Sequence, residues 1–92
     1  MEFSQFLHQN QFIFREGKTI GFKSYNSVVC IVDIETNKIT LGRDWDYSQT
    51  TLRHLYQFLH RFTNVYVGNE KNKKAYIQKL IDKGEINYNI SL

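Results

Sequence analysis

The spacing of apolar residues changes between Gly42 and Leu52, and this change limits the folds open to the chain. Up to Gly42, apolar and polar residues tend to alternate, which is the period-two pattern of β-strands. In the segments 52–62 and 76–81, apolar residues recur every three or four positions, as on one face of an α-helix. Strands followed by helices predict an α+β fold.

The first half of the chain predicts an antiparallel β-meander. The run at 28–34 is nearly continuous in β-branched and other apolar residues, so we expect a central strand buried on both faces. The connection at 35–38 suits a hairpin, because Asn37 readily adopts a left-handed conformation. Residues 2–8 fit a strand or a helical turn equally well. The predicted strands are 11–15, 20–23, 28–34 and 39–42, with turns at 16–18 and 25–27.

Two helices are predicted after the meander. Asp46 or Ser48 can cap the first, and Asp46 with Gln49 fits the reciprocal capping pattern. Thr63 and Asn64 end this helix. The apolar stripe of the first helix comprises Leu52, Leu55, Leu59 and Phe62.

The second predicted helix has Asn69 as its cap and Gly84 as its C-terminal stop. Residues 86–90 alternate and predict a closing strand. The predicted architecture is an antiparallel β-meander followed by two helices packed on one sheet face and a C-terminal strand. The buried face of the second helix comprises Tyr76, Ile77, Leu80 and Ile81, and that of the closing strand Ile86, Tyr88 and Ile90.

Length and composition indicate one small domain spanning residues 1–92, since 92 residues leave room for one hydrophobic core. A lone cysteine, Cys30, excludes an intramolecular disulfide. No segment approaches the roughly 20 apolar residues needed to cross a bilayer, and residues 1–5 lack a basic start. We therefore expect a cytoplasmic protein with no membrane partner.

The histidines do not have the spacing of a metal site. His54 and His60 are six positions apart on one helix, whereas zinc-binding pairs on helices lie three or four apart. His8 and Cys30 would have to approach from other elements. We expect neither a metal nor a cofactor.

Catalytic patterns are also missing from the sequence. Ser48 and His54 lie on different faces of the predicted helix, and no glycine-flanked nucleophile turn surrounds Ser48. Asp44 and Asp46, on either side of Trp45, are typical of carboxylates that complement a helix dipole. The five glycines are scattered and form no phosphate-binding loop. The sequence therefore predicts a protein that is not an enzyme.

Charge leaves two classes of binding partner open. Residues 1–47 contain five basic and six acidic residues, whereas residues 48–92 contain seven basic and three acidic ones. Such a basic half can meet an acidic protein surface or nucleic acid. The exposed edge of a meander would also allow a homodimer.

Protein binding is the better supported class, because Tyr and Arg residues off the leucine stripe match the composition of interface hot spots. Trp45 is read instead as a plug at the junction of sheet and helix. Tyr56 and, with less support, His54 are expected to be exposed. The predicted contact residues are Tyr47, Arg53, Tyr56, Gln57, His60 and Arg61, with Lys71, Lys73 and Lys74 steering the partner.

The run from Trp45 to Leu59 carries Trp-Asp-Tyr-Ser-x-Thr-Thr, then His54, then Phe58 before Leu59. It resembles a family of small proteins encoded by phages, plasmids and conjugative elements of lactic-acid and related Gram-positive bacteria. The segment Phe22–Ser27 is similar to that family as well, so the resemblance covers about residues 20–62. It implies a mobile-element origin and supplies no catalytic or binding residues.

This origin makes stoichiometric inhibition of a host defence factor the expected function, with a CRISPR effector nuclease as the type of target. The alternative is a small nucleic-acid-binding protein of phage or plasmid replication. Genetic context supports the first expectation by association, whereas charge supports both.

Overall fold

The computed structural model describes the backbone of residues 2–6 and 8–92 and the side chains of residues 11–92. It confirms the α+β fold: an N-terminal meander, two helices and a C-terminal strand. Of the segment 2–8, which fitted two alternatives, residues 2–6 form the first strand and His8 begins the second. The elements are β1 Glu2–Phe6, β2 His8–Glu16, β3 Thr19–Ser24, β4 Ser27–Asp33, β5 Lys38–Gly42, α1 Gln49–Phe62, α2 Lys73–Asp82 and β6 Asn87–Asn89.

The six strands form one sheet in the order β1-β2-β3-β4-β5-β6. Each neighbouring pair from β1 to β5 is antiparallel, and β5 pairs with β6 in parallel. A parallel neighbour requires a crossover, and here the crossover is the helical layer itself. The strand at the C-terminal end was predicted, whereas its parallel pairing was not.

One face of the sheet carries the core. Two rows of paired residues run across β3, β4 and β5, one starting at Ile20 and one at Phe22. Helix α1 packs on β3 and β4, and the Phe58 ring stacks on Phe22 with centroids 5.7 Å apart. The two rows are Ile20, Val32 and Ile39, and Phe22, Cys30 and Leu41.

Strand β4 is central, as predicted, but it is not buried on both faces. Val29, Cys30 and Val32 are buried, whereas Val28 and Ile31 are half-buried. The helices cover one face of the sheet. The apolar run of β4 predicts burial on both faces, but the strand is fully covered only on the face toward the helices.

The two helices begin at side-chain caps. Ser48 is the N-cap of α1, and its Oγ accepts a hydrogen bond from the Thr51 N–H at 3.1 Å. Asn72 caps α2, and its Oδ1 accepts from the Ala75 N–H at 3.0 Å. The prediction of Asn69 as the α2 cap is wrong, because the chain first makes a turn from Val67 to Glu70. Gly84, at φ +79°, follows α2 as predicted.

The turns combine predicted and unpredicted backbone conformations. Asn37 has φ +62°, the left-handed conformation expected in the β4–β5 hairpin. Tyr25, between β3 and β4, also has a positive φ of 54°. A non-glycine residue in this region is uncommon and costs roughly 1–3 kcal/mol, so the surrounding structure holds Tyr25 in place.

The C-terminal segment is less buried than its alternation suggests. Ile86 is 1% exposed, but Tyr88 and Ile90 are 46% and 62% exposed. Strand β6 lies at the edge of the sheet. Of these three apolar residues, only Ile86, which immediately precedes the strand, is buried in the core. Residues 65–67, left unassigned by the sequence, form no strand, although Val67 is fully buried. No helix in the described part of the chain has the length and apolarity to cross a membrane.

Candidate functional site

The outward side of α1 carries four exposed residues, Arg53, Gln57, His60 and Arg61. They recur at three- and four-residue steps and therefore share one side of the helix. We call this group the α1 face. It lies opposite the leucines that contact the sheet, and the structure exposes all four residues where the sequence placed them.

Among the described residues, no acidic side chain forms an ion pair with the arginines of the α1 face. Helix α1 contains no acidic residue. Among residues 11–92, ion pairs form between Lys18 and Glu35 and between Lys74 and Asp46, and neither Arg53 nor Arg61 takes part in one. The Arg61 guanidinium lies 5.1 Å from the centroid of the Phe62 ring, which orients it without removing its charge.

Two α1 side chains expected at the surface face inward instead. His54 is 5% exposed, and Tyr56 is half-buried against the core. Desolvation by burial raises the pKa of the Tyr56 phenol above its usual range. The buried side of α1 is wider than the leucine stripe because Thr51 and Phe58 also pack inward.

His60 has a structural contact as well as an exposed position. Its Nε2 accepts a hydrogen bond from the Val67 N–H at 3.1 Å, and its ring lies 4.6 Å from the Tyr66 ring centroid. The side chain therefore fixes the segment that follows α1. Among the described side chains no three His, Cys, Asp or Glu residues converge. The side chain of His8 lies outside those described.

The three predicted steering lysines lie near the start of α2. Lys71 is exposed and precedes the Asn72 cap, and Lys73 is half-buried with its Nζ donating to the Glu70 carbonyl at 3.4 Å. Lys74 pairs with Asp46 at 3.4 Å. The first turn of α2 has no acidic residue, so Lys73 and Lys74 lie against the positive end of the helix dipole.

Trp45 fills the junction between sheet and helices. It is 4% exposed and belongs to the main core cluster. It also lines a shallow depression together with Gln78 and Ile81 of α2. The prediction that Trp45 acts as a plug is confirmed.

Tyr47 belongs to a different surface from the α1 face. It is 78% exposed and lines a cleft of about 550 Å³ between the β3–β4 turn and the start of α1. We call this the turn cleft. Its lining residues are Ser24, Tyr25, Asn26, Ser27, Val29, Asp44, Tyr47, Ser48, Thr50 and Thr51.

Side chains from two distant segments are hydrogen-bonded across the turn cleft. The Ser27 hydroxyl donates to Asp44 Oδ2 at 2.8 Å, which fixes the carboxylate beside the β3–β4 turn. Ser24 is 5% exposed, and no described residue offers its Oγ a hydrogen-bond partner. Sequence reasoning missed this site because it treated residues 25–27 as a turn and Asp44 as a dipole partner.

The chain belongs to DUF8033, a family of unknown function whose family model matches residues 3–82. The match includes β1 from its second residue, β2–β5, the turn cleft and both helices, and it ends before β6. No curated protein and no solved structure matches the chain.

Proposed function

We propose that this DUF8033 protein is a non-enzymatic binding protein that attaches to an acidic surface of a partner protein through the α1 face. One observation carries the proposal: Arg53 and Arg61 are exposed on a helix that has no acidic residue. Arginine forms bidentate bonds with carboxylates and is enriched among interface hot spots. Such side chains bind strongly when a partner desolvates them.

Exposed lysines in and just before α2 add long-range attraction. Lys71 and Lys74 are exposed, and Lys79 lies on the outer side of α2. Positive potential of this kind raises the rate at which an acidic partner is encountered, and salt weakens it. We assign these lysines to steering and the α1 face to contact.

The partner we propose is a host defence protein of the CRISPR effector nuclease type, met in the cytoplasm of the host cell. The resemblance of the Trp45–Leu59 run to mobile-element proteins supports this choice. The nucleic-acid channel of such a nuclease is positively charged and would repel the α1 face. The contact would therefore lie on an acidic surface outside that channel, and inhibition would follow from stoichiometric attachment.

The first experiment tests the α1 face by charge reversal. The double variant Arg53→Glu, Arg61→Glu should retain its circular dichroism spectrum and lose binding by at least about a hundredfold. The reason is that each hot-spot arginine contributes about 2 kcal/mol, roughly thirtyfold in affinity. Partner capture from nuclease-treated, metal-chelated host extract identifies the target, and titration of the purified target measures the loss.

A matched control has the same change in charge on the sheet. The double variant Arg15→Glu, Lys38→Glu replaces two exposed basic residues, one in β2 and one in β5. Because physiological salt screens long-range electrostatic interactions, its affinity should stay within about threefold of that of the unchanged protein. Equal affinity of the α1 variant and the unchanged protein would refute the proposed face.

The second candidate function is nucleic-acid binding in phage or plasmid replication. The observation in its favour is the surplus of basic residues in 48–92, which contain seven Lys and Arg and three Asp and Glu. Phosphate contacts would make retention on DNA or RNA fall steeply with salt. A gel-shift series starting at low salt tests it, and no shift at the lowest salt removes this candidate.

A further inference from the structure

We propose that the turn cleft binds a guanidinium group, held by Asp44 and covered by the rings of Tyr25 and Tyr47. This site is separate from the α1 face and goes beyond the function proposed above. The volume of about 550 Å³ is in the range of small-molecule and side-chain sites. Its walls come from two segments that the Ser27–Asp44 hydrogen bond holds together.

The charge of the cleft selects a cation. Among the described lining residues, Asp44 is the one ionisable group other than tyrosine, and none of them is Lys, Arg or His. The start of α1 supplies about half an elementary positive charge, and the Ser48 hydroxyl already caps it. A full carboxylate charge outweighs that partial charge, so a cation is favoured over an anion.

The acceptors of the cleft suit a group with several N–H donors. Asp44 uses Oδ2 to accept from Ser27, and among the described residues Oδ1 has no hydrogen bond. Further acceptors are the hydroxyls of Ser24 and Thr50. The Ser24 Oγ is buried and has no described partner, and Ser24 is one of the residues that line the cleft. A guanidinium offers five donors in one plane, whereas an ammonium is a point charge.

Two tyrosines give the cleft its preference for a flat cation. Tyr25 and Tyr47 are 61% and 78% exposed, although tyrosine rings gain free energy when they are covered. The left-handed backbone at Tyr25 sets the direction in which its side chain leaves the chain. Aromatic faces attract guanidinium by both cation–π interaction and stacking.

The test is an NMR titration of the full chain with blocked arginine, N-acetyl-arginine-N-methylamide. Amide shifts should concentrate at Ser24, Asn26, Asp44 and Thr50 and should saturate. The matching citrulline derivative has nearly the same shape without charge and should bind at least about tenfold more weakly, because the charge contributes most of the attraction. Free arginine is the third ligand: tighter binding than the blocked form assigns the site to the amino acid, and equal binding assigns it to an arginine side chain.

Variants identify the residue responsible. Asp44→Asn keeps an acceptor for Ser27 and should weaken blocked arginine at least about tenfold. Asp46→Asn makes the same change in charge two positions away, where the carboxylate pairs with Lys74 outside the cleft, and should leave the affinity unchanged. Tyr47→Ala should reduce the affinity severalfold.

Three outcomes overturn the proposal: no saturable shifts at the cleft residues, equal binding of citrulline and arginine, or equal losses in Asp44→Asn and Asp46→Asn. The citrulline comparison uses the unchanged protein and therefore decides the matter even if a variant fails to fold. Loss of binding at the α1 face affects none of these measurements, so the two proposals fail independently.

Discussion

At the scale of single residues, Cys30 shows how burial removes reactivity. Its side chain is fully buried in β4, and burial raises the pKa of the thiol far above its usual range. The thiolate is the reactive form, so we expect folded protein to resist iodoacetamide at pH 8. Protein unfolded in urea should be alkylated completely in the same time. Mass spectrometry measures both, and rapid labelling of the folded protein would contradict the described burial.

His60 belongs to the proposed contact face and also accepts a hydrogen bond from the Val67 N–H. A substitution tests how much this hydrogen bond contributes to stability. His60→Phe keeps a ring beside Tyr66 but leaves the N–H of the buried Val67 without its acceptor. Such a loss costs about 1–3 kcal/mol, which urea denaturation measures. Gln57→Phe, one turn earlier on the same face, adds an aromatic ring without removing a hydrogen bond and is the control. Equal stability of the two variants would show that the His60 contact contributes little.

Some residue conformations were predictable and others were not, for identifiable reasons. The left-handed conformation of Asn37 follows from a side chain that tolerates positive φ. Tyrosine has no such preference, so nothing in the sequence marks Tyr25. The His60 contact depends on the path of residues 63–72, which no periodicity describes.

At the scale of elements, α2 begins with charges that oppose its own dipole. Replacing Lys73 by Glu reverses the charge at the first helical position and should raise the free energy of unfolding by about 0.3–1 kcal/mol. Lys79→Glu makes the same change in the last turn, where a basic residue is favourable, and should lower stability. Thermal unfolding of the two variants should therefore shift in opposite directions. Shifts of the same sign would show that the dipole is not the dominant influence.

Element type was more predictable than element partners or ends. The leucine spacing of α1 and the alternation of apolar residues in β3 depend only on neighbouring residues, and the structure has a helix and a strand at those positions. The start of α2 was misplaced because Asn69 and Asn72 are equally suitable caps. Only the turn at Val67–Glu70 distinguishes them. The parallel partner of β6 was hidden because alternation indicates which face is buried and not which strand is adjacent.

At the scale of the whole molecule, the charge asymmetry was visible in the sequence and the turn cleft was not. Both helices belong to the basic second half of the chain, residues 48–92. The charge count of that half therefore predicted that the helical layer carries the excess of basic residues. The cleft joins residues 24–29 with residues 44–51, which meet only after β4 and β5 have paired. Patterns within one element cannot show where two connections meet.

During synthesis on the ribosome, the edge of β5 that later pairs with β6 stays unpaired for longer than any other strand edge that is paired in the folded sheet. Each strand from β2 to β5 pairs with the strand made just before it, so the meander can assemble as it emerges. Strand β6 is made only after both helices, and until then β5 presents unpaired backbone groups. An open strand edge promotes association between chains, and that risk is greatest in the nascent protein. The charged Lys38 at the start of β5 is the kind of residue that protects such an edge.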